Sequence, residues 1–448
     1  MSIAFAVALT LLREVARALL APLRLLCYLP FRHHWRAVAR DVLEGVAHAA
    51  PDDPTVALQA FFARRRPWRG AEAHVFVSAG ETSGEAHAAH LVQALPGVRI
   101  SAFGGHVLAA AGATVRIQLS EHAVMGVRGV LRQLPLILRA YADFLRLLRD
   151  DPPDLVVLVD YPGLHLVMAK ACKQHGIPVL HYVAPQYWAW GPWRMRRYRR
   201  AVDATLTILP FETAFFGRFR VPAAYIGHPL LDDLAAHPLP ATEVAAVRAR
   251  RTLVLLPGSR RHEITSNLPG MLRIAEALRA REPSLRVVLP HKNPRRTALL
   301  RELLAAHDAP FVEHHEGPLA TWLAGAHLIL AKSGTGSLEA CLHGVPTIVV
   351  YQLRGLLHTL AYHNILSVPW IAAANLIAGR RVVPEHCFHR ALGWDQVLAD
   401  AERLWFDEAA RAELIRDLAE VRRRLGAPGA TARVAAIVRQ FLQPEMRR

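Results

Sequence analysis

Residues 154–160 read Asp-Leu-Val-Val-Leu-Val-Asp, five consecutive apolar residues framed by acids. A strand that is apolar on both faces has no solvent side, so it belongs inside a parallel sheet covered by helices above and below. The signal recurs at His74-Val75-Phe76-Val77, which runs into a glycine-bearing turn, Ala79-Gly80-Glu81-Thr82-Ser83-Gly84, and a helical stretch from Glu85 to Leu95. The next strand ends at Phe103-Gly104-Gly105. A second series starts at Thr252–Leu256 and continues through Arg286–Leu289, His327–Ala331 and Thr347–Tyr351, with helical segments between. Strand and helix in alternation, twice over, predict an α/β chain of two Rossmann-like domains.

A length of 448 residues fits two cores better than one. The expected division is a first domain over 71–235, a linker rich in Ala, Pro and His, and a second domain over 251–385. Residues 386–448 carry Ala, Arg and Leu at helical spacing and are expected to form terminal helices. Residues 1–70 form an amphipathic, basic extension, of which 32–70 read as a polar connector. Within it, Arg13, Arg17 and Arg24 fall on one narrow face of a helix, with leucines elsewhere. That is the pattern of a helix lying in a membrane interface, the plainer alternative being a helix that caps the protein with solvated arginines. Pro22 argues against an unbroken helix in either case. Charged residues interrupt every apolar run here, so no spanning helix is expected, and the stretch lacks the features of a secretory signal.

A formal charge of +17 calls for an anionic partner: nucleic acid, acidic lipid or a phosphorylated substrate. Arg128, Arg132, Arg139 and Arg146 line up on one face of a helical segment from Met125 to Asp150, although Pro135 weakens its continuity. Arg194, Arg196, Arg197, Arg199 and Arg200 are interleaved with Trp188, Trp190 and Trp193, a mixture found at membrane interfaces and on nucleic-acid surfaces. No recognised nucleic-acid motif accompanies them, so an anionic membrane surface is the expected partner and nucleic acid is not. Cys27, Cys172, Cys341 and Cys387 have neither disulfide nor zinc spacing, which places the chain in a reducing compartment, read as cytoplasmic.

Ligands of open parallel sheets collect at the carboxyl ends of strands. Three segments there carry chemistry. Lys332-Ser333-Gly334-Thr335-Gly336-Ser337-Leu338-Glu339 follows a strand and opens a helix whose free N–H groups suit a diphosphate, with Glu339 one turn in and able to accept ribose hydroxyls. A capped helix with a surface glutamate is the plainer reading. Leu256-Pro257-Gly258-Ser259-Arg260 directs a guanidinium toward the cleft between the halves, where it could hold diphosphate oxygens, unless it is a surface arginine. Asp160, in Asp160-Tyr161-Pro162-Gly163-Leu164-His165, is placed to take a proton from an acceptor hydroxyl or to anchor the loop. The spacing Gly80 to Gly84 fails the nucleophile-elbow pattern, and neither His-Glu-x-x-His nor Asp-x-Asp occurs, so neither a metal site nor a cofactor is expected.

These segments, taken in order, resemble lipid-A-disaccharide synthases from about Val75 to Arg380. The matching stretches are AGETSGE (79–85), FGG (103–105), VMG (124–126), VDYPGLH (159–165), HYVAPQYWAW (181–190), LPFE (209–212), IGHP (226–229), LLPGSR (255–260), SGTGSLE (333–339) and NLIAGR (375–380). The resemblance implies the GT-B glycosyltransferase fold and an inverting, metal-independent transfer. UDP-2,3-diacylglucosamine would donate its sugar to the 6-hydroxyl of 2,3-diacylglucosamine 1-phosphate (lipid X), giving a β-1,6 disaccharide and UDP at the inner face of the cytoplasmic membrane. Asp160 and Arg260 take the catalytic positions. Ser333, Gly334, Thr335 and Glu339 take the UDP helix, and Ser83, Glu85, Met125 and Asn375 fall in motifs expected to touch substrate. Glu85 replaces the aspartate usual in the family, with Ala88 and His90 where small glycines are common, so its extra methylene is expected at an acyl or acceptor contact. The carboxy-terminal helices would cross back to the first domain and could be exchanged in a homodimer. An epimerase acting at C2 of UDP-N-acetylglucosamine shares such a fold, and a catalytically silent membrane-surface protein would keep it as well.

Overall fold

The computed structural model describes residues 2–45, 54–68, 71–120, 127–353, 355–389 and 393–443. The chain divides into two units, 1–42 with 48–233 and 427–448, and 43–47 with 234–426. In the first unit the strands are β1 His74–Ala79, β2 Arg99–Gly104, β3 Thr114–Gln118, β4 Leu155–Val159, β5 Val179–Tyr182, β6 Ala204–Thr207 and β7 Ala223–Tyr225. They form a parallel sheet in the order β3-β2-β1-β4-β5-β6-β7. In the second, β8 Thr252–Leu256, β9 Arg286–His291, β10 Val312–Glu316, β11 Leu328–Lys332, β12 Thr347–Gln352 and β13 Glu385–Phe388 form a parallel sheet ordered β10-β9-β8-β11-β12-β13. Each sheet reverses its direction of winding once, between β1 and β4 and between β8 and β11. Crossover loops on either side of such a point diverge and leave a crevice at the carboxyl ends.

The amino-terminal extension is helical: α1 Ile3–Leu19, α2 Ala21–Tyr28 and α3 Arg32–Gly45, with short helices Pro54–Ala57 and Gln59–Phe62 after it. The break falls at Leu20, and Pro22 sits in the first turn of α2, where its missing N–H costs nothing. The stretch read as a polar connector is therefore largely structured. Leu58, Phe61 and Phe62 enter the first unit's core, and Phe61 stacks on Phe441 at 4.5 Å between ring centroids.

The extension attaches to the first unit along its length. The Thr10 hydroxyl meets Tyr141, Glu14 pairs with Arg197, Tyr28 packs on Trp193, Trp35 stacks on Phe219, and Asp41 pairs with Arg218. Arg13 and Arg24 are exposed and Arg17 is half-buried. Arg13, Arg17 and Arg24 line cavities between the extension and the body. Phe5, Leu12, Val15, Leu19, Leu23 and Leu26 are exposed, Leu19 by 76%. Among the described residues no helix is long and apolar enough to cross a membrane.

The remaining helices used below are α4 Thr82–Gln93, α5 His106–Ala110, α6 Val127–Asp150, α7 Pro162–Gln174, α8 Arg261–Arg281, α9 Thr335–Leu342, α10 Gly393–Phe406, α11 Glu408–Leu425 and α12 Ala430–Leu442. Pro135 does not interrupt α6, because burial of Tyr141, Phe144, Leu147 and Leu148 on the same helix outweighs one lost hydrogen bond. Of the three carboxy-terminal helices, α10 and α11 stay with the second unit, and α12 alone belongs to the first. There Val434, Ile437, Val438 and Phe441 join the core cluster of β1 and α4.

Candidate active site

Both sheets place their motif residues on the two strands that flank the reversal point. In the first, Ala79 pairs in register with Val159, so the turn opening at Gly80 lies beside Asp160. In the second, Leu256 pairs with Ala331, which sets Pro257 beside Lys332.

Asp160 leaves β4 with φ +52° and Tyr161 follows at φ +47°, two successive left-handed residues, neither of them glycine. Such a corner costs on the order of 1–3 kcal/mol per residue and persists only where its surroundings hold it. Here they do. The Asp160 N–H donates to the Tyr182 carbonyl at 3.0 Å. The Asp160 carbonyl accepts from two imidazoles, His165 Nδ1 at 2.6 Å and His181 Nε2 at 3.0 Å. Because each ring donates from that nitrogen, its other nitrogen accepts, His165 from the Ser78 hydroxyl at 2.9 Å and His181 from the Tyr198 hydroxyl at 3.1 Å. Burial pushes His165 down to about 3 and His181 down to about 4, so both rings remain neutral. The Tyr161 ring lies directly over Gly80, where a Cβ would collide with it.

This corner presents a carboxyl of altered acidity. Burial, and then the charge of Glu81, raise Asp160 to about 6, opposed by the Tyr161 N–H. A carboxylate of that basicity, half ionised just below neutrality, is suited to taking a proton from an alcohol.

Glu85 has a different task from the substrate contact expected of it. Its side chain is buried, and Oε1 accepts from the N–H groups of Gly105, Val107 and Leu108 at 2.8, 3.1 and 3.1 Å, while Oε2 takes the Ser120 hydroxyl. It caps α5. The Phe-Gly-Gly turn serves the same contact, since a Cβ at Gly105 would lie 3.0 Å from both carboxylate oxygens. Ser83 is exposed in the first turn of α4. Met125 lies outside the described residues.

In the second unit the Pro-Gly-Ser-Arg loop is organised by Glu263, a residue to which the sequence reading gave no role. Its Oε2 accepts the N–H groups of Ser259 and Arg260 at 3.1 and 3.2 Å, and its Oε1 meets Arg260 Nη1 and Lys332 Nζ, both at 3.1 Å. Burial alone would raise this carboxyl, but Lys332, the Arg260 N–H and the Arg260 charge hold it below the ordinary range. Gly258 has φ +121°, and a Cβ there would lie 2.6 Å from that of Glu263. Two cations thus share one carboxylate at the ends of β8 and β11, leaving a net positive charge beside the amino terminus of α9. A glutamate three residues after Arg260, in the first turn of a helix, was the available signal.

At that terminus Gly334 and Thr335 are exposed and Ser333 is half-buried. The Ser333 hydroxyl donates to the Ile371 carbonyl at 2.8 Å. Ser337 closes the first turn through the Gly334 N–H and carbonyl. Glu339 is half-buried one turn further on. Asn375 is fully buried, and its amide is consumed internally. It donates to the Val383 carbonyl and Glu385 and accepts from the N–H groups of Val382 and Val383. Glu385 also receives the N–H groups of Ile371 and Ala372. Asn375 therefore holds the segment that Ser333 touches, and has no hydrogen-bonding capacity left for a substrate.

Of the aromatic residues near the basic cluster, Trp188 is buried with its indole donating to Glu212 at 3.0 Å, and Trp193 packs on Tyr28. Trp190 is exposed, as are Arg194, Arg196, Arg199 and Arg200. On α6, Arg132, Arg139 and Arg146 are exposed, and the side chain of Arg128 is not described.

A family model described as lipid-A-disaccharide synthetase matches residues 75–404. A lipid-A-disaccharide synthase of Acidobacterium capsulatum is 36% identical over 395 residues, covering 83% of this chain and 96% of that protein. One of Myxococcus xanthus is 36% identical over 382 residues, covering 83% and 98%. Among solved structures, a putative UDP-N-acetylglucosamine 2-epimerase from Listeria monocytogenes aligns with a TM-score of 0.56 at 15% identity, over 84% of this chain and 97% of that one. The glycotransferase of kitacinnamycin aligns at 0.53 with 20% identity, over 84% and 100%. At those identities the structural likeness shows the two-domain α/β fold and nothing finer.

Proposed function

The chain belongs to the lipid-A-disaccharide synthase family, and from that premise we propose how its residues carry out glycosyl transfer. It is a glycosyltransferase of the GT-B fold. The donor is UDP-2,3-diacylglucosamine and the acceptor is lipid X, whose 6-hydroxyl attacks the anomeric carbon of the donor sugar. As the new bond forms, the bond from that carbon to the diphosphate breaks, the hydroxyl proton passes to Asp160, and UDP departs. The observation that carries this assignment is the placement of all four motif segments at the winding reversals, the Gly80 turn with Asp160 in one sheet and Arg260 with the start of α9 in the other.

Asp160 suits the base because its carboxyl is raised to about 6. His165 and His181 act through it, holding its backbone. Arg260, Lys332 and the amino terminus of α9 supply positive charge for the departing diphosphate, so the reaction is proposed to need neither a metal nor another cofactor. The exposed leucine face of α1 and α2 and the exposed arginines of α6 support seating on the anionic inner face of the cytoplasmic membrane.

The test measures UDP release from the purified protein in detergent with EDTA, with and without lipid X. Release that requires lipid X and yields a disaccharide is expected. Acceptor-independent conversion of UDP-N-acetylglucosamine to its C2 epimer would replace this reading with the epimerase one.

A further inference from the structure

The first helix of the extension, α1, does not close down on the body. No residue of α1 is buried. Beneath it lie two cavities of about 420 and 440 Å³ that share Glu14 and Arg17. Each falls within the ~300–1,000 Å³ usual for ligand sites. The second is lined by Arg17, Arg24, Arg194 and Arg197 against a single acid, Glu14. It also reaches Pro162 and Gly163, the first turn of α7, immediately after Asp160 and Tyr161.

Several observations mark this trench as a place for an anion. Glu14 is already engaged by Arg17 and by both terminal nitrogens of Arg197, so it cannot neutralise the four guanidinium groups. Arg197 Nε is buried and has no hydrogen-bond partner among the described residues. In the adjoining cavity, burial and then the charges of Arg197 and Arg17 push Lys170 down to about 8. The first turn of α7 has no side-chain cap, and its dipole adds a further positive end. Outside the trench, Leu12, Leu19, Leu23 and Leu26 are exposed. A ligand that joins a phosphate to acyl chains matches both surfaces. Arg17 and Arg24 lie outside residues 75–404, so this site is not one the family match assigns.

We propose that the trench between the amino-terminal helices and α7 binds the phosphate of an acylated lipid, held by Arg17, Arg24, Arg194 and Arg197. Two molecules carry that chemistry, the phosphorylated acceptor itself and a phospholipid of the membrane. The acceptor arm rests on the transferase reading above, and the binding arm does not.

The binding arm titrates the full chain with dodecyl phosphate in a calorimeter, with dodecyl maltoside as the phosphate-free control. Arg24 and Arg194 are exposed, so R24A/R194A should fold, which its melting curve checks. The expected result is saturable binding to the wild type, weakened at least tenfold in R24A/R194A and unchanged in R416A/R423A, which removes equal charge from the exposed face of α11. R24E gives a second reading of the same site. Equal binding by the wild type and R24A/R194A, or equal weakening by both double variants, overturns the proposal.

The source arm compares KM for lipid X with KM for the same acceptor lacking phosphate. A tenfold rise in R24A/R194A for the phosphorylated acceptor alone identifies the acceptor. Unchanged KM values with weaker flotation on phosphatidylglycerol vesicles identify a membrane lipid. If the wild type forms no disaccharide, the transferase reading fails while the dodecyl phosphate result still decides the trench.

Discussion

The Asp160 carboxyl, raised to about 6 by burial and by Glu81, connects stability to activity through one proton. Below the unfolded value of about 4 the group is protonated in both states and contributes nothing to their difference. Between about 4 and 6 the unfolded chain ionises first, and above 6 the folded state carries the full penalty, roughly 3 kcal/mol. Asp160→Asn is therefore expected to raise the melting temperature at pH 8 and not at pH 4, while lowering turnover at least a hundredfold. In the wild type, kcat/KM should rise with pH through a midpoint near 6, and a profile flat from pH 5 to 8 would move the base to another residue. At Gly80 the added Cβ of Gly80→Ala meets the Tyr161 ring. The expected cost is about 1–3 kcal/mol in a urea titration, with a tenfold or greater loss of kcat as the left-handed corner shifts. The placement of Asp160 and Arg260 just beyond the carboxyl ends of β4 and β8 was legible in the sequence, because each follows an apolar strand run. The internal hydrogen bonds of Glu85 and Asn375 were not legible, for a common reason. Whether a polar side chain is spent inside the protein depends on partners such as the N–H groups of Gly105 to Leu108, some twenty residues away, and no local pattern reports them.

The elements found from sequence were those with long apolar runs, β1, β4, β8 and β12 among them, because a strand buried on both faces advertises itself. β3 and β10 went unseen as edge strands, one alternating exposed and half-buried residues and the other reading Val-Glu-His-His-Glu. The short β5 and β6, four residues each, gave too little signal. Helix α12 was foreseen as a helix that crosses back to the first domain, but the residue that caps it was not, since Asp232 lies almost two hundred residues earlier. The Asp232 carboxylate accepts the N–H groups of Gly429, Ala430 and Thr431 at 2.5, 3.0 and 2.8 Å, satisfying the opening turn of α12. Asp232→Ala should lower stability by about 1–2 kcal/mol in urea unfolding, and Asp232→Asn by less. No change in either variant would mean that α12 is held by its apolar face alone.

At the scale of the whole molecule, a formal charge of +17 acts together with a face of exposed leucines. Burying a leucine fully is worth ~1.5–3 kcal/mol, so four partly inserted side chains can set vesicle affinity. L12S/L19S/L23S/L26S should weaken flotation on anionic vesicles on the order of a hundredfold without lowering the melting temperature. Unchanged flotation would assign membrane attachment to charge alone. The placement of α12 bears on how the protein is made. Translation delivers β1, α4 and the short helices around Phe61 first, yet Val434, Val438 and Phe441, which complete their core, come after residues 234–426, nearly all of the second unit. At ~5–20 residues per second, that unit takes roughly 10–40 s to synthesise. For that interval the nascent first unit carries an unsealed apolar groove outside the ribosome, and a message truncated before codon 427 would leave it open for good.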